Sequence, residues 1–208
     1  RSDLQAVSDN ELNKPYDLLK KVSNWRRFYA VINAASVFME KAPRTVELDR
    51  SYSEQNLKYD IAQVRALRAF AYFYMVRIWG DVPLVTYSYD NGTFPSMPRT
   101  DAQTVLSYAK AELLTAIEDL PYQYGTQTNL YYGSYGAQWQ GKLFNKLSAY
   151  SVLAHICAWQ GNYAEAETYS AFIIDHASEI NAKYTSIADL TSETGLFYSN
   201  ASVKGSRI

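Results

Sequence analysis

The 208-residue sequence predicts an all-α fold, a core of stacked helical hairpins with long inserted loops and few or no strands, and three observations carry that expectation. Apolar residues recur at spacings of three and four in five separate segments. Four of these segments stop at a Gly or Pro: Pro43, Gly80, Pro121 and Gly161. The alternation that marks a half-buried strand is almost missing, leaving Val82 to Thr86 and Gly195 to Tyr198 as the short strand candidates.

The first segment runs from Trp25 to about Lys41, with Phe28, Ile32, Ala35 and Met39 on one face and an end before Pro43. The second carries Leu57, Ile61 and Val64 into Leu67-Arg-Ala-Phe-Ala-Tyr-Phe-Tyr-Met-Val-Arg-Ile-Trp79. Arg68 and Arg77 interrupt this run, and the apolar stretch between them is too short for a hydrocarbon layer of roughly 30 Å. Phe70, Phe73, Tyr74 and Val76 add a second apolar face to the one through Ala71, Met75 and Ile78, as a helix packed between two neighbours requires. Gly80 is placed for a positive-φ cap, and Pro83 stops continuation.

Thr100-Asp-Ala-Gln103 has the spacing of a capping box. Beyond it, Leu106, Ala109, Leu113, Ile117 and Leu120 form a single stripe up to Pro121. Leu143, Leu147, Tyr150, Ala154 and Cys157 form the next, widened by Ala149, Leu153 and Ile156 into a buried helix that Gly161 ends. Asn162 then caps a fifth helix, with Glu165 in its first turn and Ala166, Tyr169, Ile173 and Ala177 facing inward.

Composition sets limits on function. Twenty basic and 21 acidic residues leave a net charge of −1, without the positive excess that nucleic-acid binding needs, so no nucleic-acid partner is expected. The lone Cys157 has no partner for an internal disulfide and reads as a small buried hydrophobe. His155 and His176 have no neighbours at metal-ligand or triad spacing, and phosphate-binding glycine loops are missing; neither a catalytic residue nor a cofactor or metal is expected. Glu118-Asp119 and the Glu165/Glu167 pair fall beside apolar stripes, where charges are ordinarily solvated. The start at Arg1-Ser-Asp lacks the n- and h-regions of an export signal, so the sequence reads as a mature or truncated piece; its helices read as a single helical-repeat domain over residues 1–208, which the resemblance described below places within a longer protein.

Leu153-Ala154, Gly161-Asn-Tyr163 and Ala166 fit a tetratricopeptide-like hairpin, with small residues where helices cross, Gly at the turn and the aromatic wedged below. Leu67 to Gly80 with Thr104 to Leu120 offers a second hairpin, whose connection of about twenty residues exceeds the usual few.

The order of these parts resembles a known family. "WRRFYAVINAAS" from Trp25, "VRALRAFAYFYMVRIWGDVPLV" from Val64, "PRTDAQTVLSYAKAELLTAIEDLP" from Pro98 and "SAYSVLAHICAWQGNYAEAETYSAFII" from Ser148 are together similar to the SusD/RagB family of nutrient-binding lipoproteins. The sequence departs from that pattern at "YGSYGAQWQGKLFNKLSA", before the Leu147 helix. It also lacks the lipidated cysteine and large C-terminal part of family members. The resemblance implies a non-catalytic protein on the outer face of the outer membrane. There it would bind glycan or another nutrient, deliver it to a SusC-like TonB-dependent transporter, and be held peripherally by an N-terminal lipid outside this chain. The residues that carry the resemblance, Arg65, Arg68, Ala69, Tyr72, Gly80, Asp81, Pro83 and Arg99, have turn and packing chemistry, and Asp81 with Arg99 suggests an ion pair tying the insert to the helix end.

Ligand contact is better sought in Pro121 to Gly141, which has no charged side chain. Its Tyr122, Tyr124, Tyr131, Tyr132, Tyr135 and Trp139 alternate with amides such as Gln127 and Asn129. Sugar rings present an apolar C–H face rimmed by hydroxyls, which flat aromatics and neutral amides complement. The same aromatics would equally suit packing on the core or on a partner protein. Tyr87 and Tyr89, with Asn91 and Phe94, form a second candidate on the loop after Val82-Pro-Leu. Two other classes stay open: a protein-binding tetratricopeptide-like scaffold using a concave helical face, and an all-helical glycan-processing enzyme, for which no carboxylate pair is evident.

Overall fold

A computed structural model describes residues 2–9, 11, 17–22, 24–89, 95–124 and 142–180. Its helices are α1 (Ser2–Ser8), α2 (Asp17–Val22), α3 (Arg26–Lys41), α4 (Pro43–Leu48), α5 (Glu54–Trp79), α6 (Ala102–Asp119), α7 (Lys146–Trp159) and α8 (Tyr163–Asp175), followed by a 3-10 turn at Ala177–Ile180. The fold is all-α. The five helices expected from periodicity are present as α3 and α5 to α8. The short α1, α2 and α4 have too few turns for a periodic signal; α4 restarts the chain at once because Pro43 is a favourable first helical residue.

α5 is the central rod, packed chiefly on α6 and α3, and α8 packs on α7. Ser53 starts α5 by accepting the Asn56 backbone N–H at 3.2 Å, and Gly80 ends it at φ 69°. Ala62, Ala66 and Ala69 are fully enclosed and let neighbouring backbones come close, while Tyr72, Met75, Leu106, Leu113, Leu153 and Ile156 fill the common core. Tyr74 on the second apolar face, Ile78 on the first and Leu67 nonetheless remain exposed, so both faces of α5 are only partly covered among the described residues.

Several local expectations are corrected. The N-cap of α6 is Asp101, which accepts from Thr104 N–H at 2.9 Å; the capping box drawn from Thr100 was one residue early, because Thr100 is occupied in a backbone bridge to Val82. That bridge is isolated, so Val82 to Thr86 is not a strand. Gly195 to Tyr198 lies outside the described residues. A complete capping box does occur at α7, between Asn145 and Ser148. In the α7–α8 hairpin Gly161 makes the turn at φ 80° and Asn162 caps α8, yet Tyr163 is 72% exposed and is not the wedge. Tyr150 takes that place, 4.2 Å from the Phe172 ring and 5.7 Å from Tyr169.

Glu165 departs from the solvated role expected of it. Glu165 is bonded to Lys110 at 2.6 Å, to Asn162 at 2.6 Å and to Tyr169 at 2.9 Å, which joins α8 to α6. Glu112, on α6, is buried against Arg65 and Arg68 of α5. Glu118, Asp119 and Glu167 are exposed, as their positions suggested. Cys157 is buried, and burial pushes its thiol up.

Candidate functional site

After Gly80, residues 81–89 cross α3 and α5 as a strap. Beyond the Val82–Thr100 bridge it has no neighbouring strand among the described residues, and side chains take up backbone groups that a sheet would otherwise pair. Tyr72 accepts the Val85 N–H and donates to the Val85 carbonyl, both at 2.8 Å. Tyr29 donates to the Pro83 carbonyl at 2.7 Å. Asn33 pairs with both backbone groups of Tyr89, accepting its N–H at 2.7 Å and donating to its carbonyl at 3.0 Å. The Glu40 carboxylate holds the Ser88 N–H at 2.9 Å and its hydroxyl as well. Asp81 accepts the Ala102 N–H at 2.9 Å. The ion pair suggested between Asp81 and Arg99 is therefore replaced: Asp81 serves the start of α6, while Arg99 lies 5.0 Å from the Trp25 ring and makes a long 3.5 Å contact to the Asp81 carbonyl. A helix end with unsatisfied N–H groups is the stronger competitor for an adjacent carboxylate than an exposed guanidinium.

This anchoring presents Tyr87 and Tyr89 together. Their ring centroids are 5.0 Å apart at 48°, and the Tyr89 hydroxyl donates to that of Tyr87 at 2.7 Å. Tyr87 is 51% exposed. The hydrogen bond to Tyr87, followed by burial, pushes the Tyr89 phenol up to about 12. Met97 lies 4.0 Å from the Tyr89 hydroxyl and also lines a cleft of about 380 Å³ between α3 and the strap, with Tyr29 and Val85 in its walls. Burial pushes the Tyr29 phenol well above its usual range, against the opposing pull of Arg99.

The other candidate tract is described only at its start, Pro121 to Tyr124, and the described residues resume beyond its end, at Lys142. Tyr124 is 3% exposed and donates to the Phe144 carbonyl at 2.9 Å, with Gln63 of α5 hydrogen-bonded to both. Phe144 N–H donates to Gln63 Oε1 at 2.9 Å, and Lys146 N–H to the Pro121 carbonyl at 2.9 Å. Tyr124 is thus an anchor for the segment, not a presented ring, a correction that its burial forces. Tyr122 is half-buried, stacked 6.0 Å from the ring of His176, which itself stacks 3.9 Å from Phe172. Gln127, Asn129, Tyr131, Tyr132, Tyr135 and Trp139 lie outside the described residues, as do Asn91 and Phe94. Tyr87 and Tyr89 sit against α3, whereas Tyr122 and Tyr124 meet α5, α7 and the end of α8, and no described contact joins the two groups.

Asn33, Glu40, Gln63 and the cleft were not foreseen. Asn33 and Gln63 did carry a signal: each is a carboxamide embedded in an otherwise apolar or small-residue helical stretch, which favours a bonded partner from another segment. His155 is exposed and His176 is ring-stacked, and among the described residues no cluster of His, Cys, Asp or Glu could hold a metal ion. No described helix is long and apolar enough to cross a membrane.

No family model matches the chain. Among curated proteins, SusD-like protein P38 of Formosa agariphila is 30% identical over 147 residues, covering 69% of this chain and 24% of the relative. A SusD-like protein of Bacteroides ovatus is 31% identical over 99 residues, covering 48% and 18%. The chain therefore spans about a quarter or less of the length of these relatives. Among solved structures, a SusD homolog from Bacteroides thetaiotaomicron aligns with a TM-score of 0.64 at 21% identity, over 83% of this chain and 31% of that one. A laminarin-binding SusD-like protein aligns at 0.56 and 27% identity, over 70% and 28%. The strap after Gly80, the Arg-Ala helix before it and the Gly-Asn hairpin after it occur here in one all-α core that these proteins share, and the chain belongs to the SusD-like proteins.

Proposed function

We propose that this chain is the helical-repeat part of a non-catalytic, cell-surface glycan-binding protein that hands its cargo to a SusC-like TonB-dependent transporter of the outer membrane. The observation that carries the glycan reading is the Tyr87–Tyr89 pair: two neutral rings with linked hydroxyls, held outward on a strap whose residues 82–89 include no charge. Rings of this kind stack on sugar C–H faces, and their hydroxyls bond to sugar hydroxyls without the cost of stripping water from an ion. The laminarin-binding relative supports the same reading, as does a neighbour solved with xylogluco-oligosaccharide, 23% identical to this chain. The uncharged tract between Tyr124 and Lys142, with Tyr131, Tyr132, Tyr135 and Trp139, is proposed as a further contact surface.

Titration of laminarin and xyloglucan oligosaccharides into the full-length protein tests this. Tyr87→Ala with Tyr89→Ala should weaken binding about tenfold or more, as loss of a stacking surface does. Trp139→Ala and Tyr132→Ala test the tract in the same way. Binding that survives all four substitutions would remove both assignments. Co-purification with a SusC-like transporter tests delivery separately.

A further inference from the structure

We propose that the cleft between α3 and the strap is a separate site for a small carboxylate with an apolar body. The inference does not depend on the glycan reading. The cleft, about 380 Å³, falls at the small end of the range for small-molecule pockets. Ala30, Pro83, Val85, Pro95 and Met97 give it apolar walls. Its hydrogen-bonding groups are largely committed elsewhere: Asn33 to the Tyr89 backbone, and the Tyr29 hydroxyl proton to Pro83. A sugar, which needs donors and acceptors all round, is poorly served by such walls.

Arg26 is the exception. Among the described residues it is the one charged residue in the lining, its side chain is exposed, and no described carboxylate or ring pairs with it. A guanidinium offers five donors in a planar fork that fits a carboxylate through two parallel bonds. One guanidinium balances one negative charge, so a monoanion is matched and a dianion is left with excess charge over apolar walls. Met97 gives the body of the ligand a polarizable contact that favours an aryl ring. The class of ligand is accordingly an aryl-substituted short-chain carboxylic acid, bound as its anion with the carboxylate at Arg26 and the ring toward Val85 and Met97.

The probes are 3-phenylpropanoate and its neutral counterpart 3-phenyl-1-propanol, titrated into the full-length protein by calorimetry and followed by ligand-observed NMR. The anion should bind about tenfold more tightly than the alcohol, with the difference shrinking as salt is raised. Arg26→Gln should bring the anion to the level of the alcohol and leave the alcohol unchanged. Ala30→Phe, which fills the cleft from an exposed helix position, should abolish binding of both. Equal binding of the two probes, no binding of either, or an unchanged anion affinity in Arg26→Gln would overturn the proposal; so would binding that persists in Ala30→Phe. Laminarin titrated into the same variants separates the two readings, since Arg26→Gln should leave glycan affinity as it is.

Discussion

The Arg68 guanidinium meets the Glu112 carboxylate at 2.5 and 3.2 Å where the two side chains retain only 6% and 9% of their exposure. Arg65 reaches the other oxygen at 2.8 Å, and a third Arg68 nitrogen donates to the Ser36 hydroxyl at 2.8 Å, so α3, α5 and α6 are joined by one charged network. Removing one partner of such a pair leaves the other charge buried. Glu112→Ala should therefore cost about 3–5 kcal/mol in urea denaturation, whereas the double change Arg68→Met with Glu112→Leu should recover most of that loss. A loss below about 1 kcal/mol for Glu112→Ala would mean that water reaches the pair.

Asn33 is the sole described side chain holding both backbone groups of Tyr89. Asn33→Ala should lower stability by about 1–3 kcal/mol through those two orphaned groups. Amide exchange at Tyr89 should accelerate while exchange in the core of α5 follows only the global change, a split that native-state hydrogen exchange resolves.

Tyr72 is buried and bonded to both backbone groups of Val85, and burial raises its phenol far above the ordinary value. Burial does the same to Tyr29 and Tyr124. The folded chain thus holds these protons more tightly than the unfolded chain. Their contribution is whole below the unfolded tyrosine value of about 10 and is lost as pH rises beyond it. Tyr72→Phe should cost about 1–3 kcal/mol at neutral pH, by leaving the Val85 N–H unpaired, and should make the decline of stability above about pH 10 less steep. An unchanged alkaline slope would remove Tyr72 from the account.

At the acid end the direction reverses. The Lys110 hydrogen bond, then that from Tyr169, depresses Glu165, with burial acting against them. Thr104 depresses Asp101 through the helix cap. Both contributions are present above the unfolded carboxylate values of about 4 and disappear as pH falls through the lower folded values. Glu165→Gln should reduce stability at pH 7 and flatten the acid arm of the pH–stability curve below about pH 4. Glu167→Gln, at an exposed position, should leave stability at pH 7 close to that of the wild type.

The helical scaffold was legible because periodicity and punctuation are local: Gly80, Pro121 and Gly161 each end a stripe, and Asn162 caps where it was expected. What escaped was decided by competition between distant groups. Thr100 was a reasonable cap until Val82 claimed its backbone, and Asp81 a reasonable partner for Arg99 until the start of α6 claimed its carboxylate. Glu112 reads as a surface charge unless Arg65 and Arg68 are known to face it across two helices. For the site, the exposed Tyr87 and the stacked Tyr122 have the same sequence signature, aromatic residues in polar loops, and only His176 and Lys146 beside the second distinguish them.

The hydrogen bonds of Gln63 to Tyr124 and Phe144 tie together two points 20 positions apart in the sequence, as a drawstring closes the neck of a purse. Once the neck is fastened, lengthening what lies beyond it adds only about 0.6 kcal/mol for each doubling. A segment of different length can therefore be carried between Tyr124 and Lys142 while the rods beneath stay unaltered.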